Sequence, residues 1–274
     1  MHITALSDEI SDNFQKQLEL LKKHNLCFID LRDIENKNIL EHTDKYLDYI
    51  KAELTKNKIQ VSCISTQIGK QLLPNSKNET LEILRQVNRA ISVAQKFKAK
   101  FIRIFSFYHD GSITSEKSII RLLNEFNTLA IQENITLLIE NEPKTYAYSI
   151  ENIDNLFSKI QSDYFKLLWD TGNFSHKKSG FTKKEHLYFL NIIKYAHIKD
   201  IDVDTKEKKL PGNGSCEVEK FIEDLHFQNY QGYLCLEPLI IYNHKYAEMY
   251  RKEELFSLAL CKLLNIVESV SKNL

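Results

Sequence analysis

The chain has 274 residues, 43% of them hydrophobic and 27% charged, which is too long for a minimal domain and apolar enough for a large core. Its 37 basic and 37 acidic residues cancel, so the basic excess that releases counterions from nucleic acid is missing and no nucleic-acid partner is expected. No apolar run approaches the ~20 residues that span a bilayer, and residues 1–14 lack the basic-then-apolar order of a secretion signal, so no membrane partner is expected either.

Taken in chain order, short apolar runs bounded by polar residues predict strands at 3–7, 27–31, 60–65, 101–105, 136–140, 166–170, 195–199 and 233–237. Helical spacing lies between them. Leu18 and Leu21 mark one apolar stripe. Leu81, Leu84, Val87, Ile91, Ala94 and Phe97 mark a second, and Leu122, Phe126 and Leu129 a third. Leu255, Leu258, Ala259, Leu263 and Val267 mark a closing helix. Ser149 and Ser215 stand where helix N-caps are expected.

Eight strand–helix units in succession require a parallel sheet. Eight such units in this length predict an α/β fold of one domain, residues 1–274, forming a (β/α)8 barrel. Gly69, Gly111, Gly172, Gly212 and Gly214 follow predicted strands, where site-bearing loops turn. The charge-rich segment 200–209 reads as a solvated loop or a lid. Five scattered cysteines with no Cys-x-x-Cys pair indicate reduced thiols and hence a cytoplasmic location.

The four late strands each end in a group able to bind metal: Glu140 in Leu-Leu-Ile-Glu-Asn-Glu-Pro, Asp170 in Leu-Leu-Trp-Asp-Thr-Gly-Asn, His197 in Tyr-Ala-His-Ile-Lys-Asp and Glu237 in Leu-Cys-Leu-Glu-Pro. Neighbouring strands lie ~4.8 Å apart, so groups at matching heights converge. Three buried carboxylates together repel, and a divalent cation relieves both the repulsion and the burial cost. Three oxygen donors and one imidazole suit one divalent ion, Mn2+ first, with Mg2+, Co2+ or Zn2+ as alternatives. For any single acid the competing reading is a local salt bridge or a helix cap.

These four segments in this order, with Pro211-Gly212-Asn213-Gly214 between the last two strands and Ser7-Asp8-Glu9-Ile10-Ser11 at the start, resemble the xylose isomerase-like TIM-barrel superfamily of sugar isomerases and epimerases. The resemblance covers nearly the whole chain. It implies Glu140, Asp170, His197 and Glu237 as ligands of one metal ion, with Glu140 and Glu237 also moving protons. The implied activity is isomerisation or epimerisation of a sugar or sugar phosphate, by proton abstraction beside a carbonyl and a metal-stabilised enediolate. Loss of a β-hydroxyl after the same first step would make the chain a dehydratase of an inosose-like keto-polyol instead. The implied partner is a small sugar or polyol, and a homo-oligomer fits the family.

Side chains two apart on a strand share a face, which places Lys199 beside His197 and Glu142 beside Glu140. Lys199 is expected on a substrate oxygen or phosphate, its competing reading being a salt bridge to Asp200. Glu142 is expected on a substrate hydroxyl, against a plain Arg or Lys pair. Arg103, a charge inside an apolar strand, is expected to bind substrate, against a buried pair with Asp30 or Glu142; Arg32 carries the same reading more weakly. Asn173 and His176, in the turn after Asp170, complete the expected substrate-binding set. His109 is a further candidate at the site mouth, and Trp169, Tyr146 and Phe107 are candidates to stack on a sugar.

Two positions depart from the epimerases. Asn173 stands where some carry His, and Val203 where they carry Arg. Asn173 also removes a histidine that the superfamily's abasic-site endonucleases require, and no Asp-x-His stands in the segment 198–209 directly after His197. A sugar-binding barrel without turnover is the remaining reading.

Overall fold

A computed structural model describes residues 1–176 and 185–272. Eight parallel strands form one sheet: β1 His2–Ala5, β2 Phe28–Leu31, β3 Gln60–Ser65, β4 Phe101–Ile104, β5 Thr136–Glu140, β6 Phe165–Asp170, β7 Ile193–Ile198 and β8 Tyr233–Leu236. Around the sheet the order is β1, β8, β7, β6, β5, β4, β3, β2. The ring closes through one parallel bridge between Leu6 and Asp30. This is the predicted (β/α)8 barrel. Every predicted strand is present, with its ends moved by at most two residues.

Among the described residues the longer helices are α1 Phe14–Lys23, α2 Asp44–Lys56, α3 Lys77–Phe97, α4 Ile113–Gln132, α5 Ile150–Lys159, α6 Val218–Phe227 and α7 Lys252–Lys272. Asn13, Thr43, Ser76, Ser112 and Ser149 cap the first five, each side chain accepting a backbone N–H of the first turn. After β6 the described residues form only 3-10 turns, Asn173–His176 and Glu185–Phe189. Among the described residues no helix is long and apolar enough to cross a membrane.

Helix α3 buries Ile83, Val87, Ala90, Ile91, Ala94 and Phe97 against the barrel. Leu81 falls outside this stripe and is 41% exposed, and Leu258 on α7 is likewise exposed. The barrel interior is filled by Leu6, Cys63, Leu138, Leu168, Tyr195 and Cys235.

Three sequence expectations are corrected. Ser215 does not cap α6: its hydroxyl accepts the Val203 N–H at 3.2 Å, and Glu217 occupies the cap in a left-handed conformation. The segment 200–209 is not a plain solvated loop. It is a short hairpin pairing Asp200–Ile201 with Lys208–Lys209, and Asp200 and Ile201 are buried. Trp169, Tyr146 and Phe107 pack in the core and offer no face to a ligand. Trp169 lies against Phe174, His186 and Phe189, Phe107 lies against Phe126, and the Tyr146 hydroxyl accepts from Asn155 at 2.6 Å.

Candidate metal centre and active site

Glu140 and Asp170 are the last residues of β5 and β6, His197 is the penultimate residue of β7, and Glu237 follows β8 by one. The sheet register sets Asp170 beside His197, and His197 beside Cys235. One donor atom from each of Glu140, Asp170, His197 and Glu237 lies within 4.8 Å of the other three, and all four residues are buried. His197 Nδ1 faces Glu237 Oε2 at 3.1 Å, Glu140 Oε1 at 3.6 Å and Asp170 Oδ2 at 4.0 Å. Both ring nitrogens and Glu237 Oε2 lack a hydrogen bond of good geometry among the described residues. Buried polar atoms left in this way are costly unless something else satisfies them. Oxygen and imidazole donors converging on one point fit a divalent cation.

Backbone and side-chain contacts fix each donor. Asp170 Oδ1 accepts from the N–H groups of Gly172 and Asn173 at 2.8 and 2.9 Å. Asn141 clamps the Asp170 backbone from both sides, accepting its N–H at 2.7 Å and donating to its carbonyl at 3.0 Å. Lys199 Nζ donates to Asp170 Oδ2 at 2.7 Å and Asn173 Oδ1 at 3.2 Å, and lies 3.2 Å from Glu237 Oε2. Gly172 makes room for this lysine, because a Cβ there would sit 2.8 Å from its Cγ and Cδ. Arg32 holds Glu237 Oε1 and reaches back to Asp8 at 2.8 Å and Glu9 at 3.2 Å.

The electrostatics follow from this crowding. Burial raises the Glu140 carboxyl, but His197 and Arg103 outweigh it and bring it down to about 2. Burial also opposes ionisation of Glu237, yet Lys199 and Arg32 hold it well below the usual carboxylate range. Asp170 goes the other way, pushed up to about 7 by burial and only partly offset by Lys199. Burial disfavours the Lys199 ammonium, but Asp170 and Glu237 keep it protonated. The ion-pair network ties the carboxylates of Asp8, Glu9, Glu140, Glu142, Asp170 and Glu237 to the cations of Arg32, Lys70, Arg103 and Lys199 and to His197, and His197 also faces Asp30. Negative charge is in excess, which favours an added cation.

The structure brings most of the expected substrate-binding residues to the rim of this cluster, with partners that differ from expectation. Lys199 pairs with Asp170 and Glu237 and not with Asp200. Arg103 pairs with Glu140, its Nε 3.4 Å from Oε2, and not with Asp30 or Glu142; its guanidinium lies over the Phe105 ring. Only 2% exposed, Arg103 is a buried support for Glu140. Glu142 makes the lysine pair of its competing reading, with Lys70 at 2.9 Å, and Asn173 Nδ2 bridges Glu142 to Glu140 at 3.2 Å each. The His176 side chain lies outside the described residues. His109 sits against Tyr146, its Nε2 3.3 Å from the Ser112 carbonyl, and not at the cluster. Sequence reasoning missed Asn141, Lys70, Asp8 and Glu9. Glu9 was legible only within the opening Ser-Asp-Glu-Ile-Ser segment, and its link to Glu237 runs through Arg32.

A parallel barrel with this donor set at its strand C-termini defines a class, and comparison with known proteins agrees. The model of the xylose isomerase-like TIM barrel family matches residues 18–252, and the chain belongs to that family. The inosose dehydratase of Clostridium perfringens (strain ATCC 13124) is 27% identical over 158 residues, which is 50% of this chain and 52% of that protein. The chain thus matches about half the length of its curated relatives. Among solved structures, the IOLI protein with a binding zinc atom superposes with a TM-score of 0.78 at 16% identity, over 98% of this chain and 99% of its own. A D-tagatose 3-epimerase-like protein superposes with a TM-score of 0.75 at 18% identity, over 98% and 99%. At these identities the two structures speak for the fold.

Proposed function

We propose that this chain is a divalent-metal-dependent isomerase or epimerase of a sugar, sugar phosphate or polyol-derived ketone. The carrying observation is the pair of glutamates, Glu140 and Glu237, that flank Asp170 and His197 and are both held ionised by buried cations. Glu140, Asp170, His197 and Glu237 are the residues that would hold the ion, with Mn2+ preferred on the donor set. Such an ion, when bound, polarises a ketone oxygen and acidifies the adjacent C–H.

The chain's own groups supply the rest. Glu140 and Glu237 are the carboxylates placed to take a proton from carbon and return one. Arg32 fixes Glu237 Oε1 and leaves Oε2 facing the cluster. Lys199 holds its ammonium beside both Asp170 and Glu237, where it can donate to a substrate oxygen. Asn173, Glu142 and Lys70 form a polar wall suited to hydroxyl groups.

A dehydratase acting on an inosose-like ketone is the second reading. It is favoured by the curated relatives' name and shares the same first proton transfer. Protein reloaded with Mn2+ and offered ketoses and inososes in D2O separates the two. Deuterium incorporation without loss of water marks the isomerase, and loss of water from the product marks the dehydratase. In either case Glu237→Gln is expected to lower turnover by about 10³-fold or more; near-normal turnover would sink the mechanism.

A further inference from the structure

Beneath the four donors a line of buried polar groups crosses the barrel. Thr4 Oγ1 and Ser62 Oγ are 2.9 Å apart, Ser62 Oγ and the Tyr195 hydroxyl 2.9 Å, and the Tyr195 hydroxyl donates to Asp30 Oδ2 at 3.1 Å. That same oxygen accepts from Cys235 Sγ at 3.9 Å and lies 3.8 Å from His197 Nε2. Each of these six residues is at most 2% exposed.

A carboxylate at such a place is costly unless it has a task. Among the described residues no arginine or lysine pairs with Asp30, and its Oδ1 has no hydrogen-bond partner. The pairing of β2 with β3 slips between Ile29 and Asp30. Irregularities of this kind re-aim side chains next to active sites. Here Asp30 comes to stand behind the imidazole, on the side opposite Glu140, Asp170 and Glu237. His197 therefore has carboxylates facing both nitrogens. A neutral imidazole carries one proton, so only one nitrogen can donate while the other presents a lone pair.

We propose that Asp30 is a positioning residue for metal binding. It keeps the imidazole proton on Nε2, so that the Nδ1 lone pair points into the donor set. Tyr195 and Ser62 hold Asp30 in place. This rests on the four-ligand reading of the site. Outer partners of metal-bound histidines fix tautomer and ring orientation, and removing one costs about 10–100-fold in metal affinity.

The test uses the full-length protein stripped of metal and titrated with Zn2+ by calorimetry, with the His197 tautomer read by 15N NMR in the zinc form. Wild type is expected to bind one ion with the proton on Nε2. Asp30→Leu, similar in shape but without an acceptor, is expected to bind about 10–100-fold more weakly. Its metal-free thermal midpoint, measured alongside, separates lost affinity from lost fold. Asp30→Leu binding within twofold of wild type, or a wild-type zinc form with the proton on Nδ1, overturns the proposal. If Asp30→Leu does not fold, Asp30→Asn and the wild-type tautomer still decide it. Wild type that binds no zinc, or His197→Ala that binds as tightly as wild type, defeats the four-ligand site and the role of Asp30 with it.

Discussion

Behind Arg32, Glu9 is 7% exposed and accepts the Leu239 N–H at 3.0 Å. Burial pushes its carboxyl from 4.5 up to about 7 against the pull of Arg32. A group whose folded value is raised adds stability that is complete below its unfolded value and is lost as pH rises through the folded one. Glu9 should therefore cost the metal-free protein ~3 kcal/mol between pH 4.5 and 7.5. Urea midpoints of wild type and Glu9→Gln, compared across that range, are expected to shift in favour of the variant as pH rises; parallel curves would refute this. The four proposed ligands were legible because a carboxylate or imidazole at the end of an apolar run has few inexpensive fates. Asp30 was legible only as a possible partner for Arg103, because a register slip and not strand alternation aims it at His197. Arg32's hold on Glu237 depends on β1, β2 and β8 meeting at barrel closure, which no local pattern contains.

At the level of elements, the turn after β7 shows how a polar segment can be structural. Asp200 accepts backbone N–H groups from Ile201, Gly212, Gly214 and Cys216 at 2.9 to 3.1 Å. A side chain at Gly214 would strike it, the Cβ lying 2.2 Å from Oδ1. One carboxylate thus ties the hairpin after β7 to the Gly-x-Gly turn before α6. Asp200→Ala would leave these donors without an acceptor, and a loss of about 2–4 kcal/mol in unfolding free energy is expected from denaturant titration. A change under 1 kcal/mol would show that water replaces the carboxylate freely. Charge density alone made 200–209 read as solvated. What it could not convey was that the first acid of the run turns inward while the rest face out. The strands were legible because burial on both faces of a parallel sheet demands continuous apolar runs. The eight strand–helix units expected include one after β6, but that stretch carries no clear apolar stripe, and its described residues form 3-10 turns.

For the molecule as a whole, the excess of buried negative charge at the strand C-termini would make a bound cation part of the fold's energetics. Any ion that binds only the folded state stabilises it by about 2.7 kcal/mol at a hundredfold excess over Kd. For a chain of this size that corresponds to roughly 5–10 °C in Tm. Differential scanning with and without Mn2+ should show this rise, and His197→Ala should abolish it; no shift in wild type would argue that the acids are neutralised within the protein.

The single bridge from Leu6 to Asp30 that closes the ring has a temporal consequence. Strand β1, His2–Ala5, pairs along its length with β8, Tyr233–Leu236, far from it in sequence. During synthesis it must wait for seven further strands to emerge before that edge is covered. Pairings this distant in sequence carry a high entropic toll and form late. Glu237 follows that last strand directly, and Asp30 sits on the closing seam. Completing the barrel and completing the cluster are therefore one event.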